Sequence, residues 1–168
     1  MPCPRAGWLA QWLGAALIPL AFVDLASAAG WGAITPGETM RRDVEARYGR
    51  PTRERQVTEG GLTGSEWAYS EGRAPRGLDR MVVAFGLLRS GRFVPDVVRS
   101  LTLYPKPQIF SVVAITEGWG KPDAIGTEER TGRPVLRYDA KAIMIVLDRT
   151  GEWAEVMVFA PEPSGPKP

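Results

Sequence analysis

An α+β fold is predicted for this chain: two tandem modules, each with one or two helices packed on a three- to four-stranded antiparallel sheet. Three observations predict it. Tyr48-Gly49-Arg50-Pro51 returns as Trp119-Gly120-Lys121-Pro122, an aromatic, a glycine, a base and a proline. Leu101-Thr102-Leu103-Tyr104-Pro105-Lys106-Pro107 returns as Met157-Val158-Phe159-Ala160-Pro161-Glu162-Pro163, closing each time on Pro-x-Pro. Between these markers each copy runs through an aromatic-bearing strand and then a dense apolar one. The pairs are Trp67-Ala68-Tyr69 with Met81–Phe85, and Leu136-Arg137-Tyr138 with Ile143–Leu147. An ordered set of such matches is the signature of a duplicated unit.

The first module is expected over residues 34–107. Thr35-Pro36-Gly37-Glu38 offers a helix start, with Thr35 and Glu38 spaced as a capping box and proline at the first helical position. Met40, Val44 and Tyr48 then fall on one apolar stripe, and Gly49 and Pro51 stop the helix. The segment through Arg53, Glu54 and Arg55 reads as a polar connection. Strands are predicted near Ser65–Ser70, Arg80–Leu87 and Val97–Leu103, with turns at Gly72–Gly77 and Ser90-Gly91. The second module, a degenerate copy over 108–160, has a helix from about Gln108 to Trp119. Its strands are Val135–Tyr138, Ala142–Leu147 and Trp153–Phe159, and Asp148-Arg149-Thr150-Gly151 turns between the last two. The proline-rich residues 161–168 are expected to be a disordered tail.

Residues 1–28 read as an export signal: Arg5 precedes a mostly apolar stretch from Trp8 to Val23, and Ala26-Ser27-Ala28 supplies the small-x-small cleavage site. Cleavage is expected after Ala28, with Ala29 the alternative. The apolar stretch is shorter than the ~20 residues a spanning helix needs and is broken by Pro19, so no transmembrane span is expected after cleavage. The only cysteine, Cys3, lies ahead of the apolar stretch, where it can neither anchor a lipid nor survive cleavage. A periplasmic or secreted location follows, with modules held by packing rather than disulfides.

Charge excludes little and directs little. The formal net charge is +2, and no basic run is interleaved with aromatics, so nucleic acid is not expected as a partner. The halves differ in sign: residues 34–107 carry 13 Lys/Arg against 9 Asp/Glu, and residues 108–163 carry 6 against 9. Arg41, Arg42, Arg47, Arg50, Arg53 and Arg55 make a locally positive region softened by Asp43, Glu45 and Glu54; a solvated helix face explains this, and anionic lipid headgroups are the alternative contact.

The residue inventory argues against catalysis. The chain has no histidine, and without Cys3 no thiol, which removes the usual general base, zinc ligand and thiolate nucleophile together. Glu128-Glu129 is an adjacent acidic pair whose members point apart on a strand. Gly118-Trp119-Gly120-Lys121 lacks phosphate-loop spacing and reads as a helix stop. No enzyme activity, cofactor or metal is expected. Binding remains, and its candidate residues are Trp67, Tyr69, Phe93, Tyr104, Trp153, Arg50 and Arg53: aromatics on strands, or aromatics and arginines present in one copy only.

Ile34-Thr35-Pro36-Gly37-Glu38-Thr39-Met40, Val44, Tyr48-Gly49-Arg50-Pro51 and Trp67-Ala68-Tyr69, in that order, resemble a family of small outer-membrane lipoproteins. That family includes the E subunit of the bacterial β-barrel assembly machinery. The match covers about residues 34–104 and, degenerately, 108–160. The duplication also resembles the secreted β-lactamase inhibitor protein, built from two helix-and-sheet modules. The resemblances imply an exported binding or scaffold protein of the bacterial cell envelope, accessory to outer-membrane assembly. The alternative they imply is a protein inhibitor of an extracytoplasmic enzyme.

Overall fold

The computed structural model describes residues 29–160. The export signal with its Ala28 cleavage site, and the proline-rich tail 161–168, lie outside the described residues. In chain order the elements are helix α1 (Arg41–Tyr48), strands β1 (Arg53–Glu59), β2 (Leu62–Tyr69), β3 (Leu78–Arg89) and β4 (Arg92–Pro105), helix α2 (Val112–Trp119), and strands β5 (Ala124–Thr127), β6 (Pro134–Tyr138), β7 (Ile143–Leu147) and β8 (Ala154–Phe159).

The strands form one eight-stranded antiparallel sheet in the order β1-β2-β3-β4-β8-β7-β6-β5. This corrects the expectation of two tandem modules, each with one or two helices on a three- to four-stranded antiparallel sheet, the continuity of the two sheets being left open by the sequence. The closing strands of the two copies, β4 and β8, pair with each other through Leu101↔Phe159, Thr102↔Val158 and Leu103↔Met157. Two separate sheets would each have left an apolar closing strand as an open edge; pairing them hides both edges. The register is two-fold: Leu101 and Leu103 correspond to Met157 and Phe159 in the repeat, and each faces the other's counterpart, with Thr102 and Val158 at the axis.

Helix content is also smaller than expected, two helices of eight residues each. The Thr35/Glu38 capping box does not form. Gly37 adopts φ 84° and its amide donates to the Val98 carbonyl, while the Val98 amide donates to Thr39. Those bonds to β4 hold residues 37–39 out of the helix, which starts at Arg41, with the Met40 amide bonded to the Asp43 carboxylate. In α2 the start is later than Gln108, because Gln108 sits at φ 61° and Ser111 caps the Ala114 amide at 3.1 Å.

The core lies on one face. Two rows cross the six central strands: Trp67, Val83, Leu101, Phe159, Ile143 and Tyr138, and beside it Tyr69, Met81, Leu103, Met157, Ile145 and Leu136. All twelve are buried, and Val44 of α1 and Ile115 of α2 join the same cluster. Both helices therefore cover the same face, and the other face carries none.

The halves share their pins. The Tyr69 hydroxyl donates to the Gly49 carbonyl at 3.0 Å and the Tyr138 hydroxyl to the Gly120 carbonyl at 3.1 Å. Tyr48 packs on Tyr69, and Trp119 on Tyr138, each with ring centroids 6.1 Å apart. Each glycine ends its helix at positive φ, 73° and 84°, where a side chain would be strained.

Candidate functional site

Side chains directly opposite in a sheet share a face. On the face without helices one row runs through every strand: Arg53, Ala68, Val82, Thr102, Val158, Met144, Arg137 and Ala124. Its centre is apolar and only partly covered, with Met144 42% exposed, and arginines stand near both ends. The face is thus one of small and β-branched residues with a charged rim.

At one end this face opens into a depression of about 650 Å³ lined by the ends of β3, β4 and β8 and the turn before β8. Tyr104 and Trp153 are both in its wall, with Arg80, Asp79, Arg133 and Glu155. The Arg80 guanidinium lies 3.9 Å from the Tyr104 ring centroid, a cation over an aromatic face. Arg133 forms an ion pair with Glu155 across the wall. Asp148 is held within its own turn: it accepts from Thr150 at 2.8 Å and from the amides of Glu152 at 3.1 Å and Trp153 at 3.3 Å. Burial alone would raise its pKa, but bonds from Thr150 and from the Trp153, Glu152 and Gly151 amides hold it below the usual carboxylate value. Its charge thus fixes the Trp153 backbone.

The seven candidates for partner contact separate. Tyr104 and Trp153 meet in the depression, both half-buried. Trp67 and Tyr69 are 5% and 0% exposed, which places them in the core and corrects their assignment to a surface. The Trp67 ring stands edge-on to Phe85 at 4.9 Å, and the Arg41 guanidinium lies 5.0 Å from one ring and 4.7 Å from the other. Arg41 also bonds Asp96 at 2.9 Å, Glu54 at 3.1 Å and the Ser65 hydroxyl, so it ties α1 to the sheet. Phe93 lies far along the β3–β4 hairpin, where its ring covers the Cα of Gly86. Arg50 is exposed at the end of α1, 3.9 Å from Glu45, and Arg53 is exposed at the edge of the open row. Neither arginine reaches the depression.

Arg80 and the Arg133–Glu155 pair were not singled out from sequence. Alternation could have found Arg80, since it immediately precedes Met81 and so faces away from the core. The Arg133–Glu155 pair has no such local signal, because it is made across strands.

Among the described residues no group of three or more acidic side chains is placed to hold a metal ion, and no helix is long and apolar enough to cross a membrane. No family model and no curated protein matches the chain. Among solved structures it is similar to the crystal structure of a DUF4309 family protein, YjgB, from Bacillus subtilis. That structure is 12% identical, covering 77% of this chain and 83% of that one at a TM-score of 0.49. The likeness is too slight to speak for function.

Proposed function

We propose that the chain is an exported, non-catalytic binding and scaffold protein of the bacterial cell envelope. It engages a protein partner with the helix-free face of its sheet and serves as an accessory to outer-membrane assembly. The observation that carries the reading is the one-sided sheet. Six central strands bury one face under both helices and leave on the other a partly covered apolar row, beside the depression that holds Tyr104 and Trp153. Aromatic anchors beside a depression are where truncation costs binding most. The reading of residues 1–28 as an export signal and the resemblance to the small outer-membrane lipoproteins support this compartment and role.

Thr102→Arg tests the face at its axis, and Trp153→Ala and Tyr104→Ala test its end. Capture of partners by the tagged protein from envelope fractions should fall at least tenfold for Thr102→Arg, with far-UV circular dichroism unchanged. Envelope-assembly proteins in the eluate support the scaffold reading; a single hydrolase replaces it with inhibition. Undiminished capture by all three variants would place the interface elsewhere.

A further inference from the structure

The β3–β4 hairpin is longer than its counterpart, and the excess has no place in the shared packing plan. Phe85↔Val98 corresponds to Leu147↔Ala154; the first pair is joined by residues 86–97, the second by residues 148–153. The extension runs past the flanking strands, since β2 last pairs at Ser65↔Phe85 and β8 pairs only with Leu101–Leu103. Its cross-strand pairs are Leu87↔Val94, Leu88↔Phe93 and Arg89↔Arg92, closed by Ser90 and Gly91 at φ 50° and 75°. Positive φ at both positions makes a tight turn that matches strand twist.

Two features of this tip point outward. Like charges directly opposite each other destabilise a hairpin, yet Arg89 and Arg92 face one another, both exposed, with no acidic residue between Leu87 and Pro95. The first acid after the tip, Asp96, is engaged with Arg41, and Glu59, near the adjoining β1–β2 turn, with Arg99 at 2.7 Å. Leu88 beside them is 51% exposed, and Leu62, at the adjoining β1–β2 turn on the same end of the sheet, is 37% exposed. An apolar ladder capped by an uncompensated arginine pair is complementary to an anionic surface with an apolar layer beneath it.

We propose that the tip of the β3–β4 hairpin docks on anionic phospholipid, with Arg89 and Arg92 at the phosphates and Leu88 inserted below them. A ribbon two strands wide is too narrow for the ~800 Å² per side of a stable protein interface. It suits peripheral membrane contact, where each basic side chain adds a modest electrostatic increment and long side chains reach up to the headgroups. The contact would hold the helix-free face near the membrane without occupying it.

Co-sedimentation of the exported, processed protein with vesicles tests this, using phosphatidylcholine alone and phosphatidylcholine with phosphatidylglycerol. Binding is expected on the mixed vesicles only, weakening with added salt. Arg89→Glu with Arg92→Glu should lower the affinity about 30-fold or more, and Leu88→Asp should lower it while circular dichroism stays native. Arg42→Glu with Arg47→Glu, the same charge change on exposed α1 positions, should leave most of it. Equal loss in both double variants would show diffuse electrostatics and overturn the assignment to the tip. Absence of binding to the mixed vesicles, as an acidic protein partner at the tip would produce, overturns the proposal outright.

Discussion

The two halves of the sheet are built on one plan and finished differently. Val44 and Ile115 occupy the same position and are both buried; Tyr69 and Tyr138 pin the same helix-end carbonyl. Met40 bridges Val97, and Ser111 bridges Trp153 in the corresponding place. There the identities part: buried Val97 in the first half is a half-buried tryptophan in the second. Arg41 corresponds to Val112, so where a guanidinium stacks on Trp67 and Phe85 in the first half, the second has an aliphatic side chain packed against the core, with Leu136 and Leu147 at the positions of the two rings. The long basic hairpin of the first half is a short acidic turn in the second. What recurs is what packing needs; what differs is free to serve binding.

Truncation in the shared core is the strongest way to break this comparison. Val83→Ala or Phe85→Ala should cost about 2–4 kcal/mol, and Ile145→Ala or Leu147→Ala a similar amount, through lost burial and the cavity left behind. Phe85→Ala should exceed Leu147→Ala by about 1 kcal/mol, because it also removes a ring from beneath Arg41. Denaturant midpoints that drop in one half only would show that the halves do not share a core.

Alkaline pH should act on the same plan through Tyr69, with a somewhat smaller effect. Burial pushes its phenol from 10.0 to about 12, with Glu45 and Tyr48 adding to the shift. The unfolded chain releases this proton near pH 10 and the folded chain holds it. Stability is therefore intact below pH 10 and falls as pH rises toward 12, by roughly 2 kcal/mol. Tyr138 is also raised, first by burial and then by Asp123. Tyr69→Phe should flatten most of the decline in a urea titration across that window. A decline unchanged in the variant would assign it to other groups.

Much of this plan was legible in the sequence because core contacts repeat as residue types. The Tyr48/Trp119 and Tyr69/Tyr138 correspondences and the strand Met81–Phe85 fall where the pattern placed them. The merger of the sheets was not legible, since β4–β8 pairing is made by backbone groups that leave no trace in side-chain pattern. The polar run through Arg53, Glu54 and Arg55 predicts a connection, and six of the seven β1 residues are exposed; pairing along the whole of β1, with Leu62–Ala68 of β2, is what makes it a strand. Trp67 and Tyr69 looked like interface anchors because aromatic chemistry serves cores and surfaces alike, and only the register shows which face they take. The depression was half legible: Tyr104 and Trp153 stood out, and Arg80 was hidden at the head of an apolar run.

Removing the helix pins should have a further, smaller effect, equal in the two halves. Tyr138→Phe leaves the Gly120 carbonyl without its donor and should cost about 1 kcal/mol, the usual worth of one hydrogen bond. Tyr69→Phe should cost the same at neutral pH. A large difference between them, measured by thermal denaturation, would show that one helix end is held by other contacts.

The smallest effect belongs to the turn that the halves do not share. Asp148 accepts from Thr150 and from the Glu152 and Trp153 amides, and these bonds hold its carboxyl below the ordinary value of 3.8 despite burial acting the other way. A depressed carboxylate contributes stability above its unfolded pKa and loses that contribution as pH falls through the folded one. The β7–β8 turn should therefore loosen only below pH 3.8, with the Trp153 amide resonance moving and exchanging faster there. The Ser90-Gly91 turn, which has no carboxylate, should stay unmoved. Asp148→Asn should abolish the acid transition at Trp153 and widen the depression, lowering partner capture without shifting the global midpoint much. Titration of the Trp153 amide at or above the ordinary carboxylate value would show that the turn, and with it one wall of the binding end, is held by something other than Asp148.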